Sequence, residues 1–324
     1  MNVVPKPSLL TPTAKRYELK RGSAYFADPA FCCAEAALTE ALTAAGFPIE
    51  KGNEDAPLRV IRVQDPTLDD SGYMLDVTES GVTISANTDT GAFYGVMTFR
   101  QIARLRFCPA AELVLQCCHI SDAPQKDSRR LILNKKIDVN IAAELIREMA
   151  YVKLNELSLA FDANTEYAAA LSEAASKCFV KIIINSPSTH AKIADFSHPY
   201  RHFRLKKLYL GSYAAALLYS DDDKHKFDFF NYPRIQAFAE SAWSDRSGSD
   251  YFNFETRLQQ LLQEQDMDGI YHCKPHLFRK SLRYTRHKMK KALSAAYAAK
   301  RDDTANVAAI LADETQLNEY ENLI

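Results

Sequence analysis

The sequence lacks an excess of charge of either sign, because 41 Asp and Glu residues balance its 40 Lys and Arg residues. This balance argues against a broad electrostatic attraction to nucleic acid or to an anionic membrane. The sequence also lacks an apolar run of about 18 residues, the length that a membrane-spanning helix needs. Pro5, Pro7 and Pro12 interrupt the amino-terminal segment, where a signal peptide would be apolar. We therefore expect a cytoplasmic protein with neither nucleic acid nor a membrane as its partner.

Cysteine spacing typical of a zinc site or of a redox centre is also missing. The seven cysteines are an odd number, and four of them form the adjacent pairs Cys32–Cys33 and Cys117–Cys118. Neither pair has the intervening residues of a C-x-x-C motif, so we expect reduced, buried thiols. No histidine spacing indicates a metal site either. The sequence thus predicts no metal and no cofactor.

Residues 126–167 contain a strand–helix–strand unit, in which the apolar runs 131–133 and 157–161 flank a helical segment. Apolar residues recur in that segment at three- and four-residue spacing, which places them on one face of the helix: Ile141, Leu145, Met149 and Val152. Glu148 and Lys153 lie largely off this face. The helix can therefore cover a sheet with its apolar side.

The two strands of this unit should be parallel, because a strand, a helix and a second strand close through a right-handed crossover. Sheets of this kind carry their catalytic and ligand-binding residues at the carboxyl ends of the strands. Asn134 and Lys136 follow the first strand, and Asp162 follows the second. These polar residues mark the predicted functional edge of the sheet.

The first 120 residues show the pattern of a compact α+β domain with an antiparallel sheet. Alternating apolar residues predict a hairpin over 73–86, with a turn at Glu79, Ser80 and Gly81. The other elements that spacing and end signals predict are a helix over 31–46, a strand over 58–64, a helix over 91–105 and a strand over 113–118.

The helix over 91–105 carries a motif that identifies a family. Gly91, Tyr94, Gly95, Thr98 and Gln101 fit the pattern G-x-x-Y-G-x-x-T-x-x-Q at every position. This helix resembles one in the non-catalytic domain that precedes the barrel of glycoside hydrolase family 20, the β-N-acetylhexosaminidases. The resemblance implies an α+β domain followed by a (β/α) barrel of the TIM type.

Three later segments resemble the family in the same order. The segment that begins ISDAP resembles the entry into the barrel, and MAYVKLNEL resembles the helix and second strand, with Lys153 at the motif's lysine. FAESAW resembles the last barrel helix, with Glu240 and Trp243 at the motif's acidic and aromatic positions. The resemblance covers about residues 58–190 and 206–245.

The barrel that the resemblance implies is too short. A barrel of this type takes about 250 residues, whereas the barrel-like portion here runs from 128 to about 268. We can place only four strands, at 130–134, 156–161, 179–185 and 206–212. The predicted fold is therefore α/β with three parts. These are an α+β domain over 1–120, an incomplete or remodelled (β/α) barrel over 121–272 and a helical tail over 273–324. Open strand edges in such a sheet would favour a homo-oligomer.

The resemblance implies substrate-assisted hydrolysis of the glycosidic bond. In the family, an Asp orients the acetamido group of the sugar and the adjacent Glu protonates the leaving oxygen. This chain has no H-x-G-x-D-E motif, and its Asp313–Glu314 pair lies in an amphipathic helical pattern. Asp221, in the run 221–223, is the more serious acidic candidate. We expect little or no hydrolysis, as in a pseudoenzyme.

Residue-by-residue matching gives the candidate site. Arg129 matches the arginine that grips the ring hydroxyls, Tyr219 an aromatic wall and Asp221 an acid that binds the outer hydroxyls. His190 falls roughly where the family has a polar cluster that ends in His. Asp162 and Asp221 are weak catalytic candidates, and the catalytic residues are otherwise unknown.

Each candidate also has a structural interpretation. Arg129 could open a strand on the surface, Tyr219 could be a core residue and Asp221 could lie in a solvated loop. Asp162 could cap the following helix, and His190 could be exposed.

The predicted function is that of a β-N-acetylhexosaminidase-like hydrolase that recognises the terminal N-acetylhexosamine of a glycan and turns over little of it. Two alternatives remain open. One is a non-catalytic carbohydrate-binding or scaffolding module, and the other is a truncated remnant that needs a partner.

Overall fold

The computed structural model describes residues 1–107, 112–184, 214–217, 222–244 and 251–272. Within these ranges the chain forms two sheets with helices packed on them, a mixed α/β fold. Buried apolar residues from both parts form one continuous core that extends from Val4 to Ile270. No helix in the described part of the chain is long and apolar enough to cross a membrane.

The first sheet has seven strands in the order β1-β7-β5-β6-β4-β2-β3. They are β1 (Leu9–Lys20), β2 (Ala24–Ala27), β3 (Glu50–Lys51), β4 (Leu58–Arg62), β5 (Tyr73–Thr78), β6 (Gly81–Ala86) and β7 (Glu112–Asp122). The predicted hairpin is confirmed, with Val77 paired to Val82 and Leu75 to Ile84.

The prediction of an antiparallel sheet is correct only for part of this sheet. β1, β7, β5 and β6 pair antiparallel, but β4 pairs parallel with both β6 and β2. Helix α1 (Cys32–Ala44) follows β2 and precedes β3 and β4. A helical crossover of this kind joins parallel strands, whereas the alternation of single strands does not reveal which strands become neighbours.

Helix α2 (Asp89–Ile102) packs against the sheet, and the Thr88 hydroxyl accepts a hydrogen bond from the Gly91 N–H at 3.1 Å. A Cβ atom at Gly91 would lie 2.3 Å from the carbonyl oxygen of Gly72. At Gly95 it would lie 2.5 Å from Cγ2 of Ile84. The two glycines of the motif therefore allow the helix to approach the sheet closely.

Among the residues that the structure describes, the second sheet has four parallel strands in the order β10-β9-β8-β11. They are β8 (Arg130–Leu133), β9 (Glu156–Leu159), β10 (Lys181–Ile184) and β11 (Ala214–Ala216). The first three confirm the predicted parallel unit. The predicted strand over 206–212 lies outside the described residues. β11 lies beside β8, which is the position that the last strand of a closed barrel takes beside the first.

In the described ranges, five helices accompany these strands: α3 (Val139–Tyr151), α4 (Thr165–Ser176), α5 (Lys224–Asn231), α6 (Arg234–Trp243) and α7 (Tyr251–Met267). α3 connects β8 to β9, and its predicted apolar face is buried. The prediction that Glu148 and Lys153 lie off the buried face is wrong, because both are buried with polar partners. The helical tail predicted over 273–324 lies outside the described residues.

Candidate functional site

A cleft of about 830 Å³ opens at the carboxyl ends of β8 and β9. Its polar lining comes from the segments that follow these strands and from the segment before α5: Lys136, Asp138, Asn164, Glu166, Tyr167 and Asp222. This is the edge at which parallel α/β sheets bind their ligands. The cleft is therefore the candidate sugar site.

Two of the polar side chains in the cleft also begin helices. Asp138 accepts a hydrogen bond from the Asn140 N–H at 2.8 Å and so caps α3. Asn164 accepts one from the Tyr167 N–H at 3.0 Å and caps α4. Because these groups are held by the backbone, the cleft has a fixed polar wall.

Tyr167 and Lys136 provide the aromatic and cationic surface of the cleft. The ammonium nitrogen of Lys136 lies 5.2 Å from the centre of the Tyr167 ring, within the range of a cation–π contact. Burial raises the pKa of Tyr167, so its hydroxyl stays protonated at neutral pH. Tyr167 is 6% exposed and its hydroxyl oxygen is buried, so it can offer the CH groups of a sugar only a small contact surface.

Asp162 is exposed and follows the end of β9 at Leu159. The interpretation of Asp162 as the cap of the next helix is wrong, since Asn164 makes that hydrogen bond. A catalytic role for Asp162 stays a prediction. Tyr219, Asp221 and His190 lie outside the described residues, so their roles also stay predictions.

Arg129 lies at the amino end of β8 rather than at the cleft. Its Nε donates to the Lys153 carbonyl at 2.8 Å, and its Nη1 donates to the carbonyls of Lys126 at 2.6 Å and Asp127 at 3.1 Å. Its Nη2 donates to the Tyr94 hydroxyl at 3.0 Å. The guanidinium also lies 4.9 Å from the Trp243 ring centre. Arg129 is 0% exposed, so the interpretation of a surface residue is wrong. Its described partners belong to the junction between the two sheets, and its role in sugar binding stays a prediction.

Asp122 and Lys153 form the centre of this junction. Both side chains are 0% exposed, and the Lys153 ammonium lies 2.9 Å from Oδ2 of Asp122. Tyr73 donates to the same oxygen at 2.7 Å, and the Trp243 indole N–H donates to the carboxylate at 3.0 Å. Burial lowers the pKa of Lys153, while Asp122 acts in the opposite direction.

Glu240 and Gln101 extend the junction to the amino-terminal segment. Glu240 accepts hydrogen bonds from Arg257 at 2.5 Å and from the Lys6 N–H at 2.8 Å. The side-chain amide of Gln101 accepts from the Val4 N–H at 2.8 Å and donates to the Val4 carbonyl at 2.8 Å. Two elements distant in sequence are thereby attached to the same core.

The family motifs therefore meet at the junction, a role that sequence reasoning missed. The four motifs contribute hydrogen-bonding side chains to the junction, three from α2, one each from the next two motifs and two from the last: Tyr94, Thr98, Gln101, Asp122, Lys153, Glu240 and Trp243. A charged residue in an apolar run was the available signal, because burial of a charge requires a partner.

The fold and the cleft define a class of protein: a mixed-sheet domain joined to a parallel (β/α) sheet with a polar cleft at its carboxyl edge. Residues 1–123 match the model of glycosyl hydrolase family 20, domain 2. The resemblance to glycoside hydrolase family 20 is thus confirmed. No curated protein sequence matches the chain.

Solved structures of family 20 enzymes share the fold. An inactive mutant of the exo-β-N-acetylglucosaminidase from Vibrio harveyi aligns with a TM-score of 0.70 and 12% identity, over 84% of this chain and 78% of the other. A mutant β-hexosaminidase from Streptomyces plicatus, in complex with its product GlcNAc, gives 0.67 and 14%, over 86% and 96%. The β-N-acetylhexosaminidase from Streptomyces coelicolor gives 0.67 and 14%, over 86% and 97%. At these identities the likeness establishes the fold.

Proposed function

We propose that this chain recognises a terminal N-acetylhexosamine of a glycan and hydrolyses its glycosidic bond slowly or not at all. The observation that carries the proposal is the combination of a family 20 fold with the missing acid pair. The only Asp–Glu dipeptide of the sequence is Asp313–Glu314, which lies in a helical pattern rather than after a strand.

The chemistry explains why this loss matters. Substrate-assisted hydrolysis needs one carboxylate to hold the acetamido group and a second one, protonated, to donate to the leaving oxygen. A carboxyl group stays protonated at neutral pH only where burial or a like charge raises its pKa. Asp222 lines the cleft and Asp162 follows β9, and both side chains are exposed to solvent rather than enclosed in a closed pocket.

The cleft retains features that suit sugar binding. Tyr167 offers an aromatic ring, Lys136 a cation, and Asp138 and Asn164 fixed acceptors. The product complex of the Streptomyces plicatus relative holds GlcNAc, which supports the choice of N-acetylhexosamine as the ligand.

Calorimetry with N-acetylglucosamine and N-acetylgalactosamine tests recognition, and release of p-nitrophenol from the p-nitrophenyl N-acetyl-β-glucosaminide tests turnover. We expect a measurable heat of binding without p-nitrophenol release above the buffer blank. Binding should be lost in Tyr219→Ala and Asp221→Ala and kept in Lys15→Ala, a control on the exposed edge strand β1. Arg129→Ala is unsuitable, because it removes four hydrogen bonds of a buried guanidinium and would confound binding with folding.

Two results would contradict the proposal. Turnover that disappears in Asp162→Ala or Asp221→Ala would show that a substitute carboxylate catalyses the reaction. An absence of heat with both sugars would show that recognition has been lost together with the acid pair.

A further inference from the structure

Two cysteines at the start of α1 and an aspartate at the start of α2 lie side by side on the first domain. Sγ of Cys32 is 3.6 Å from Oδ2 of Asp89. The two sulfurs and a carboxylate oxygen all lie within 4.8 Å of one another. Cys32 is exposed and Cys33 is half-buried, so the prediction of buried thiols is wrong for this pair, although it holds for Cys117 and Cys118.

The fold holds the carboxylate in a fixed orientation. Phe31, at the cap position of α1, offers no side-chain hydrogen bond. Asp89 replaces that cap, because its Oδ2 accepts from the Cys33 N–H at 3.0 Å and its Oδ1 accepts from the Ala34 N–H at 2.9 Å. A carboxylate oxygen has two acceptor positions, so Oδ2 can bind a further group on the side where Cys32 lies. Capping of α1 explains why Asp89 lies at this position, but it does not explain why two thiols lie beside it.

We propose that Cys32, Cys33 and Asp89 form a binding site for a divalent cation of the zinc class. Thiolate sulfur favours zinc over magnesium or calcium, and carboxylate oxygen is also a zinc ligand. Zn–S bonds of about 2.3 Å and Zn–O bonds of about 2.0–2.2 Å require ligand atoms roughly 3.5–4 Å apart. Side-chain rotation of the exposed Cys32 can bring the three atoms from their present spacing to this one.

The net charge of the site and its accessibility to water are consistent with a bound cation of the zinc class. Two thiolates, one carboxylate and a divalent cation sum to a single negative charge, which is stabilised at the amino end of a helix. The thiols also line a groove of about 470 Å³ that Glu40 and Cys178 border, so a water molecule can reach the remaining coordination position. Sequence spacing could not reveal this site, because Asp89 lies 56 residues from Cys33.

Spectroscopy of the full chain with Co²⁺, followed by displacement with Zn²⁺ under reducing conditions, tests the proposal. We expect one equivalent of Co²⁺ to produce thiolate-to-metal charge-transfer absorption that Zn²⁺ abolishes. Cys32→Ser and Cys33→Ser should each lose this absorption. Asp89→Asn, which keeps a capping oxygen, should weaken binding by at least about tenfold, the loss that follows even from mutation of groups that only orient a ligand.

Cys178→Ser is the matched control, since it removes a thiol of the same groove that lies outside the proposed ligand set. It should bind Co²⁺ as the parent does. The thermal unfolding of the metal-free Cys32→Ser and Cys33→Ser variants should match that of the parent, because Cys32 is exposed and Cys33 is half-buried. The proposal is wrong if no charge-transfer band forms, or if the band persists in the Cys32→Ser/Cys33→Ser double variant.

Discussion

At the scale of single residues, the buried charges of the junction decide how the two parts of the chain are held. Lys153 has a left-handed backbone with φ +62° and directs its ammonium into the core, 2.9 Å from Asp122. Glu148 is likewise buried and accepts hydrogen bonds from Arg106 at 2.5 Å and Gln265 at 2.9 Å. Loss of one partner would leave a buried charge without its counter-charge, which costs more than the loss of an exposed ion pair.

Lys153→Met tests the buried pair. We expect it to lower the free energy of unfolding by about 3–5 kcal/mol, because Asp122 would stay buried without a cation. Lys15→Met is the control. Both side chains of the Lys15–Glu79 pair are exposed, so loss of this pair should not shift the urea midpoint. Equal midpoints for the two variants would show that the junction pair is not a stabilising interaction.

Asp228 predicts a dependence of stability on pH. Burial raises the pKa of Asp228 to about 6, and the negative charge of Glu144 acts in the same direction. The Lys224 ammonium at 2.5 Å and the Tyr271 N–H at 3.2 Å favour the ionised carboxylate and reduce the shift. The unfolded carboxyl group has a pKa of about 3.9. The stabilising contribution of the protonated group is therefore complete below about pH 4 and is lost as the pH rises through about 6.

Asp228→Asn should remove this dependence. The unfolding free energy of the parent relative to the variant should fall by at most about 3 kcal/mol between about pH 4 and pH 7, measured from urea titrations. Taking the difference between the two proteins cancels the titration of all other groups. A difference that is constant with pH would show that Asp228 ionises normally.

At the scale of secondary-structure elements, side-chain caps fix where the helices next to the parallel sheet begin. The close approach of α2 to the first sheet fixes the packing of the first domain. Three helices that border the cleft begin with a side-chain cap, from Asp138, Asn164 and Asp223. These caps satisfy amide groups that would otherwise be unpaired. They also keep the lining of the cleft in place.

Asn164→Ala and Asp162→Ala form a matched pair two residues apart. Asn164→Ala should destabilise the protein by about 1 kcal/mol, because the Tyr167 N–H loses its acceptor. Asp162→Ala should leave stability unchanged, since Asp162 is exposed and does not cap α4. Thermal unfolding of both variants distinguishes them. Destabilisation by Asp162→Ala instead would indicate that this aspartate is the true cap.

At the scale of the whole molecule, the junction connects the two sheets through one continuous core. Trp243, the only tryptophan of the chain, lies at this junction and donates to Asp122 at 3.0 Å. Its ring also meets Tyr94 edge-on, with centroids 5.2 Å apart. The tryptophan therefore reports on the contact between the two parts, while far-ultraviolet circular dichroism reports on the helices and strands of both.

We expect the two signals to give the same urea midpoint, because the core that surrounds Trp243 is continuous with both sheets. An earlier fluorescence transition would show that the junction opens before the domains unfold. In Lys153→Met the two midpoints should fall together.

The sequence by itself determined the hairpin β5–β6, helix α2 and the parallel unit from β8 to β9, since each depends on spacing between residues close in the chain. Family motifs also indicated the glycosidase-like fold. Sequence did not predict the burial of Lys153 or Glu148, because periodicity reports which side chains share a face and not which partners reach them. The Trp243–Asp122 contact joins residues 121 positions apart.

Only the tertiary structure decided the parallel pairing of β4, the junction of the motif residues and the meeting of Cys32, Cys33 and Asp89. Each of these depends on contacts between elements distant in sequence, whose free energy comes from packing and from the burial of paired charges. Local propensity favours a helix or a strand, but it cannot specify which other element will cover it.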